Sequence, residues 1–154
     1  MKICDFLNVK AISADLKAMT KEGVIRELAG LLAKMSVVKD EKKITKILLD
    51  REALGSTGIG QGVGIPHGKC GNVQELVVAC GVSKRGVDFN ALDGEPVYIF
   101  FLLLAPENSA GPHLKALARI SRLLKDKFVR ENLIHAKDEG EILRILKEED
   151  QKRT

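Results

Sequence analysis

Tryptophan is absent from these 154 residues, tyrosine occurs once and phenylalanine five times. So few aromatic rings leave little for nucleic-acid bases to stack on. Charge of one sign is also scarce: 25 basic against 21 acidic residues gives a net +4, with lysines and arginines scattered among acids rather than gathered in a patch. Nucleic acid is therefore not the expected partner. No hydrophobic run is long. The longest, Val97 to Ala105, falls well short of the roughly 20 residues a bilayer-crossing helix needs, and no charged-then-apolar leader opens the chain. A soluble protein without membrane insertion is expected. Cysteine is limited to Cys4, Cys70 and Cys80, an odd number with no CxxC pair, which points to a reducing compartment, the cytoplasm.

What remains is an ordinary globular composition, and the length suits one domain over residues 1–154. Val24, Leu28, Leu31, Leu32 and Met35 recur at helical spacing behind a cap at Thr20, and Asp40 caps a second helix with Ile44, Ile47 and Leu48 inside and Arg51 at its end. Leu76 to Val82 and Val97 to Leu104 are apolar runs of the kind found in strands buried on both faces, and Val9 to Ile12 supplies a further strand. From Pro112 onward three amphipathic helices follow, built on Leu114, Leu117 and Leu124, then Phe128 and Leu133, then Ile142, Ile145 and Leu146. The charged tail from Lys147 is expected to fray. Helices, then strands, then helices predict a mixed sheet covered on both faces.

Five glycines, Gly58, Gly60, Gly62, Gly64 and Gly68, fall within eleven residues, and Pro66-His67-Gly68-Lys69 closes that stretch. Because glycine loses the most backbone entropy on folding, such density suggests close approach of something, with an anion the first candidate. It is not a nucleotide loop: a P-loop ending at Gly68-Lys69 needs glycine at Val63 and Ser or Thr at Cys70. The dinucleotide fingerprint fails as well, at Val63 or at Ile65 according to where it starts. His67 and Cys70 lie three apart, with His113 and His135 available, but no second cysteine or paired-histidine spacing supports a metal. Ser56 and Ser109 lie in no nucleophile elbow. No cofactor and no metal is expected.

Histidine itself is the remaining chemistry. A neutral imidazole carries a free lone pair at cytoplasmic pH and can attack phosphorus, provided that the ring is oriented and the phosphoryl oxygens are neutralised. Pro66 stiffens the approach to His67, Gly68 permits close backbone contact, and Ser56 and Thr57 offer hydroxyl and backbone donors. Arg51 could supply a guanidinium fork, although by itself it reads more readily as a solvated helix-end cation complementing the dipole. His113 follows Gly111-Pro112 and is expected in the opening turn of a helix, where free backbone N–H groups favour an anion. His135 reads as structural or solvated.

The segment Arg51-Glu52-Ala53-Leu54-Gly55-Ser56-Thr57-Gly58-Ile59-Gly60, with Gly62 and Ile65-Pro66-His67-Gly68-Lys69, resembles the enzyme IIA domains of the phosphotransferase system, of the fructose/mannitol and nitrogen-regulatory type. The likeness continues through Val87-Asp88-Phe89, Asp93-Gly94 and Val97 to Leu104, as far as Pro106-Glu107 and His113-Leu114. Gln61 stands where such motifs commonly carry Asn, and Gly62-Val63-Gly64 is richer in glycine than usual.

The resemblance implies a three-layer α/β/α sandwich with a mixed sheet. It implies a phosphotransferase in which His67 becomes phosphohistidine by accepting phosphoryl from HPr or an equivalent carrier, with Arg51 and His113 supporting the site. A cysteine of an enzyme IIB protein or domain is the implied acceptor during sugar uptake, a partnership compatible with peripheral association with a membrane permease. A nitrogen-regulatory role, in which phosphorylation controls binding to other proteins, is the alternative. A non-phosphorylated binding module is a third reading, disfavoured by the retention of Arg51, His67 and His113. The phosphocarrier reading expects His67 exposed in a shallow, apolar-rimmed depression.

Overall fold

Nine consecutive apolar residues, Val97–Ala105, form the central strand, and all but Tyr98 are buried. In the computed structural model, which describes residues 2–35, 38, 40–71 and 73–152, this strand follows a 3-10 turn (Ile3–Asp5), β1 (Leu7–Ser13), α1 (Lys21–Ala33), α2 (Glu41–Ala53), β2 (Gly58–Gly60), β3 (Val63–Gly64), β4 (His67–Lys69) and β5 (Val77–Val87). As β6 it leads into α3 (Ala110–Leu123), α4 (Lys127–Ile134) and α5 (Glu139–Lys152). The sheet order is β1-β5-β6-β3-β2, with β4 also on β6. It is mixed: β1 runs parallel to β5, β5 antiparallel to β6, and β3 and β4 parallel to β6.

Side chains alternate across a strand, so β6 feeds two cores. Ile99, Phe101 and Leu103 pack with Ile120, Leu133 and Leu146 of α3, α4 and α5. Phe100, Leu102 and Leu104 pack with Leu28, Ile44 and Leu48 of α1 and α2. The expected three-layer α/β/α sandwich results. Both expected caps form: the Thr20 side chain accepts the Gly23 N–H at 3.1 Å, and Asp40 accepts that of Lys43 at 3.1 Å.

Two expectations from the sequence need correction. The third helix begins at Ala110, two residues before Pro112, because a proline in the first turn sacrifices no intrahelical hydrogen bond. The C-terminal segment does not fray at Lys147: α5 runs to Lys152 with Asp150 only 1% exposed. The Asp150 carboxylate accepts the Cys4 backbone N–H at 2.9 Å and the Arg119 Nε–H at 2.7 Å, pinning the last turn to α3 and to the N-terminal 3-10 turn. The three cysteines are free, and burial, with Asp150 adding to it, pushes the Cys4 thiol up to about 12. Among the described residues no helix is long and apolar enough to cross a membrane.

Candidate functional site

Strands β3 and β4 lie end to end along the same edge of β6, Val63 opposite Ile99 and Gly64 opposite Phe100, then His67 opposite Leu103 and Gly68 opposite Leu104. Pro66, which has no N–H, marks the interruption, and its carbonyl still accepts the Leu103 N–H at 2.9 Å. Paired residues on adjacent strands share a face. Leu103 belongs to the core under α3, α4 and α5 and Leu104 to the core under α1 and α2. His67 therefore faces α3, whereas Gly68 faces α2.

The contacts follow that alternation. The His67 ring lies edge-on to His113 of α3, centroids 5.4 Å apart and planes at 66°. On the opposite face, a Cβ at Gly68 would come within 2.9 Å of Ile47 Cγ2. Gly68 thus lets α2 sit close on β4; the close approach inferred from its sequence is made by a helix.

His67 is half-buried, and its Nδ1 lies 2.7 Å from the Ile65 carbonyl oxygen. A carbonyl can only accept, so Nδ1 carries the proton and the free lone pair lies on Nε2. His113 is 6% exposed, and its Nε2 is buried without a hydrogen-bond partner among the described residues. Burial first, then the positive charge of His67 and Lys69, holds its pKa below the ordinary histidine value. A neutral imidazole with an unsatisfied nitrogen, packed against the His67 ring, can stabilise an anion arriving there. What His113 has free to offer is its ring and not its backbone: with the helix starting at Ala110, the His113 N–H is already bonded to the Ser109 carbonyl at 3.1 Å.

Arg51 stands in the last turn of α2, where its Nη1 donates to the Gly55 carbonyl at 2.8 Å. That bond ties the guanidinium to the loop leading to β2 and leaves the rest of the fork for another acceptor. The hydroxyls of Ser56 and Thr57 are committed inside the protein. Ser56 donates to the Phe89 carbonyl at 2.8 Å, and Thr57 donates to the Glu52 carboxylate through both its hydroxyl and its N–H, the latter at 3.1 Å. His135, exposed at the end of α4, bonds the Glu131 carbonyl through Nδ1 at 2.8 Å. Cys70 is buried on the α1–α2 side, the face opposite His67, and among the described residues no three His, Cys, Asp or Glu side chains group as metal ligands.

The glycine-rich stretch from Gly58 to Gly64 forms a hairpin. β2 and β3 pair antiparallel, with Gly60 opposite Val63. The two connecting residues, Gln61 and Gly62, have φ of 58° and 78°, the positive values a type I′ turn requires at both positions. The Gln61 N–H is held by Asp93 Oδ2 at 2.9 Å, which offsets part of the cost of a non-glycine residue there.

Glu52 and Lys21 are the buried charged pair behind the loop that the sequence reading passed over. Glu52 is 7% exposed and is bound by the Lys21 ammonium at 2.7 Å. Its position carried a signal, since it continues the Ile44, Leu48 stripe at the same spacing and so places a carboxylate on the inner face of α2.

With that geometry in hand, similarity to known proteins becomes specific. A nitrogen regulatory protein of Bradyrhizobium diazoefficiens is 40% identical over 146 residues, 95% of either chain. The fructose-specific EIIABC component of Bacillus subtilis is 37% identical over 97% of this chain, which spans only 24% of that relative's length. Among structures, the nitrogen regulatory protein IIA-Ntr of Neisseria meningitidis superposes with a TM-score of 0.87 at 35% identity, covering 94% of this chain and 98% of its own. The mannitol IIA of Escherichia coli, determined in complex with phosphorylated mannitol IIB, superposes at 0.78 with 26% identity over 92% and 96% of the two chains. The family model described as phosphoenolpyruvate-dependent sugar phosphotransferase system, EIIA 2, matches residues 5–149, and the chain belongs to that family.

Proposed function

We propose that this protein is a phosphohistidine carrier in which His67 Nε2 takes a phosphoryl group from a phosphohistidine donor of the HPr kind and passes it to an enzyme IIB cysteine. The observation that carries this reading is the 2.7 Å bond between His67 Nδ1 and the Ile65 carbonyl, which leaves Nε2 as the attacking nitrogen beside the unsatisfied Nε2 of His113. In the transfer, the Nε2–P bond forms as the donor's N–P bond breaks, in line, and the donor imidazole leaves with its electron pair. The reverse geometry then delivers phosphorus to a thiolate. His113 Nε2–H donates to an equatorial oxygen, and the unused N–H groups of Arg51 serve another. Ser56 and Thr57 shape the loop, and Gly68 gives α2 clearance. Leu54, three residues beyond Arg51, and Leu114, next to His113, are 85% and 66% exposed and offer apolar surface to a docking partner.

The relatives favour a second reading as well. A nitrogen regulatory protein matches along nearly its entire length, which supports a role in which phosphorylated and unphosphorylated His67 present different charge to a regulated partner. In either role the protein works as a cytoplasmic EIIA domain, with membrane contact only through a permease-associated IIB.

One experiment tests both. Incubated with phosphoenolpyruvate, enzyme I and a carrier protein, the wild type gains an acid-labile phosphoryl group and His67→Ala gains none. A wild type left unmodified by every carrier overturns the proposal. Onward transfer to an added IIB cysteine supports transport; binding of a partner that depends on phosphate, without transfer, supports regulation.

A further inference from the structure

An unbroken series of contacts joins α1 to the His67 ring. Lys21, the first residue of α1, places its ammonium 2.7 Å from Glu52 Oε2 and 4.9 Å from the Phe89 ring centroid. The Glu52 carboxylate, on the inner face of α2, accepts both the N–H of Thr57, 3.1 and 3.3 Å from its two oxygens, and the Thr57 hydroxyl. The Thr57 carbonyl accepts the Ile65 N–H at 3.0 Å. The Ile65 carbonyl accepts Nδ1–H of His67 at 2.7 Å.

We infer that Glu52, held by Lys21 and acting through Thr57, is a positioning residue for His67: it sets the Ile65 carbonyl that selects the Nδ1–H tautomer and so presents Nε2 to phosphorus. A buried carboxylate is costly to place unless it is paired and hydrogen-bonded, and Glu52 is both. Its partners form a single staple between two helices and the loop. Ile65 lies at the gap between β3 and β4, where Pro66 removes the strand's own N–H, so the Thr57 carbonyl is what fixes the peptide preceding the acceptor. Loosening Thr57 lets Ile65 drift. The ring then samples the Nε2–H tautomer, whose lone pair is on the wrong nitrogen. The inference rests on the phosphocarrier reading for its kinetic consequence, but the tautomer preference stands apart from it.

The test uses Thr57→Val, which keeps the shape and the backbone N–H but removes the hydroxyl, together with Glu52→Gln and the conservative Thr57→Ser. 15N-detected NMR of the unphosphorylated protein reads the His67 tautomer directly, and single-turnover phosphorylation by a saturating carrier reads the transfer rate. Thr57→Val and Glu52→Gln are expected to shift His67 from the Nδ1–H form toward a mixture. They are also expected to slow transfer by about tenfold or more, as misplacement of a reacting group by fractions of an ångström does, with half-saturation by the carrier unchanged. Thr57→Ser is expected to match the wild type in both. Folding is checked by the amide spectrum, and if Glu52→Gln does not fold, Thr57→Val alone decides. Wild-type tautomer and rate in a folded Thr57→Val overturn the inference and leave the phosphocarrier reading intact. A wild type that accepts no phosphoryl group overturns the phosphocarrier reading instead, while the NMR comparison still decides the tautomer.

Discussion

In the proposed transfer, His113 acts as a neutral donor. Its pKa is lowered by burial and by the charge of His67 and Lys69, so at neutral pH the ring offers an N–H without a cation's own hydration demand. Because the folded value lies below the unfolded one, near 6.5, the unfolded chain binds more protons once pH drops through that value. Stability is therefore lost as pH falls below about 6.5 and levels out only below the folded pKa. Denaturant midpoints measured between pH 7.5 and 5 are expected to decline, and less steeply in His113→Asn. Phosphorylation of His67 reverses the sign, since an adjacent dianion favours imidazolium. An NMR titration of the phosphorylated protein should find His113 titrating higher than in the unmodified one. For the transfer step, His113→Asn is expected to slow phosphorylation by roughly a hundred- to a thousandfold with the fold intact, the range for removing one donor from a developing anion. An unchanged rate would remove His113 from the site.

At the scale of elements, register governs the site. β4 is three residues long, yet its pairing with β6 turns His67 toward α3 and Gly68 toward α2. Gly68→Ala would set a methyl group 2.9 Å from Ile47 Cγ2 and push α2 off the sheet. Chemical denaturation should report a loss of about 1–3 kcal/mol, typical of overpacking. That loss should shrink in an Ile47→Ala background, where the obstructing methyl is gone. Long elements were plain in the sequence: both N-terminal caps and the α1 and α2 stripes followed from capping and period, and β6 and β5 as far as Val82 from their apolar runs. β2, β3 and β4 were not. Two- and three-residue strands built on glycine have no apolar alternation, and only pairing partners far along the chain make them strands. The same limitation hid the type I′ hairpin, because positive φ and ligand clearance both call for glycine.

For the molecule as a whole, the chain ends are tied together through a charge. Asp150 joins α5 to Arg119 of α3 and to the Cys4 N–H, so a helix that ends in charged residues is anchored rather than loose. Asp150→Ala is expected to destabilise by about 3 kcal/mol or more, the cost of breaking a buried ion pair from one side. Calorimetry or denaturant melts would measure it. The cluster shares no residue with the His67 site, so the rate of His67 phosphorylation at a temperature where the variant is folded should stay at the wild-type value.

The sequence by itself determined the layered α/β/α class and the family, and singled out His67 as the candidate, because periodicity, capping and a contiguous motif are local properties of a chain. Only the tertiary structure decided which nitrogen of His67 is free, that His113 approaches through its ring, that Ser56 and Thr57 are already bonded, and that Glu52 lies behind them. Those facts depend on pairings between β4 and β6, α2 and the loop after it, and α3 and the sheet edge. Strand register and helix packing create such pairings only when the chain has closed on itself, and no window along the sequence contains both partners.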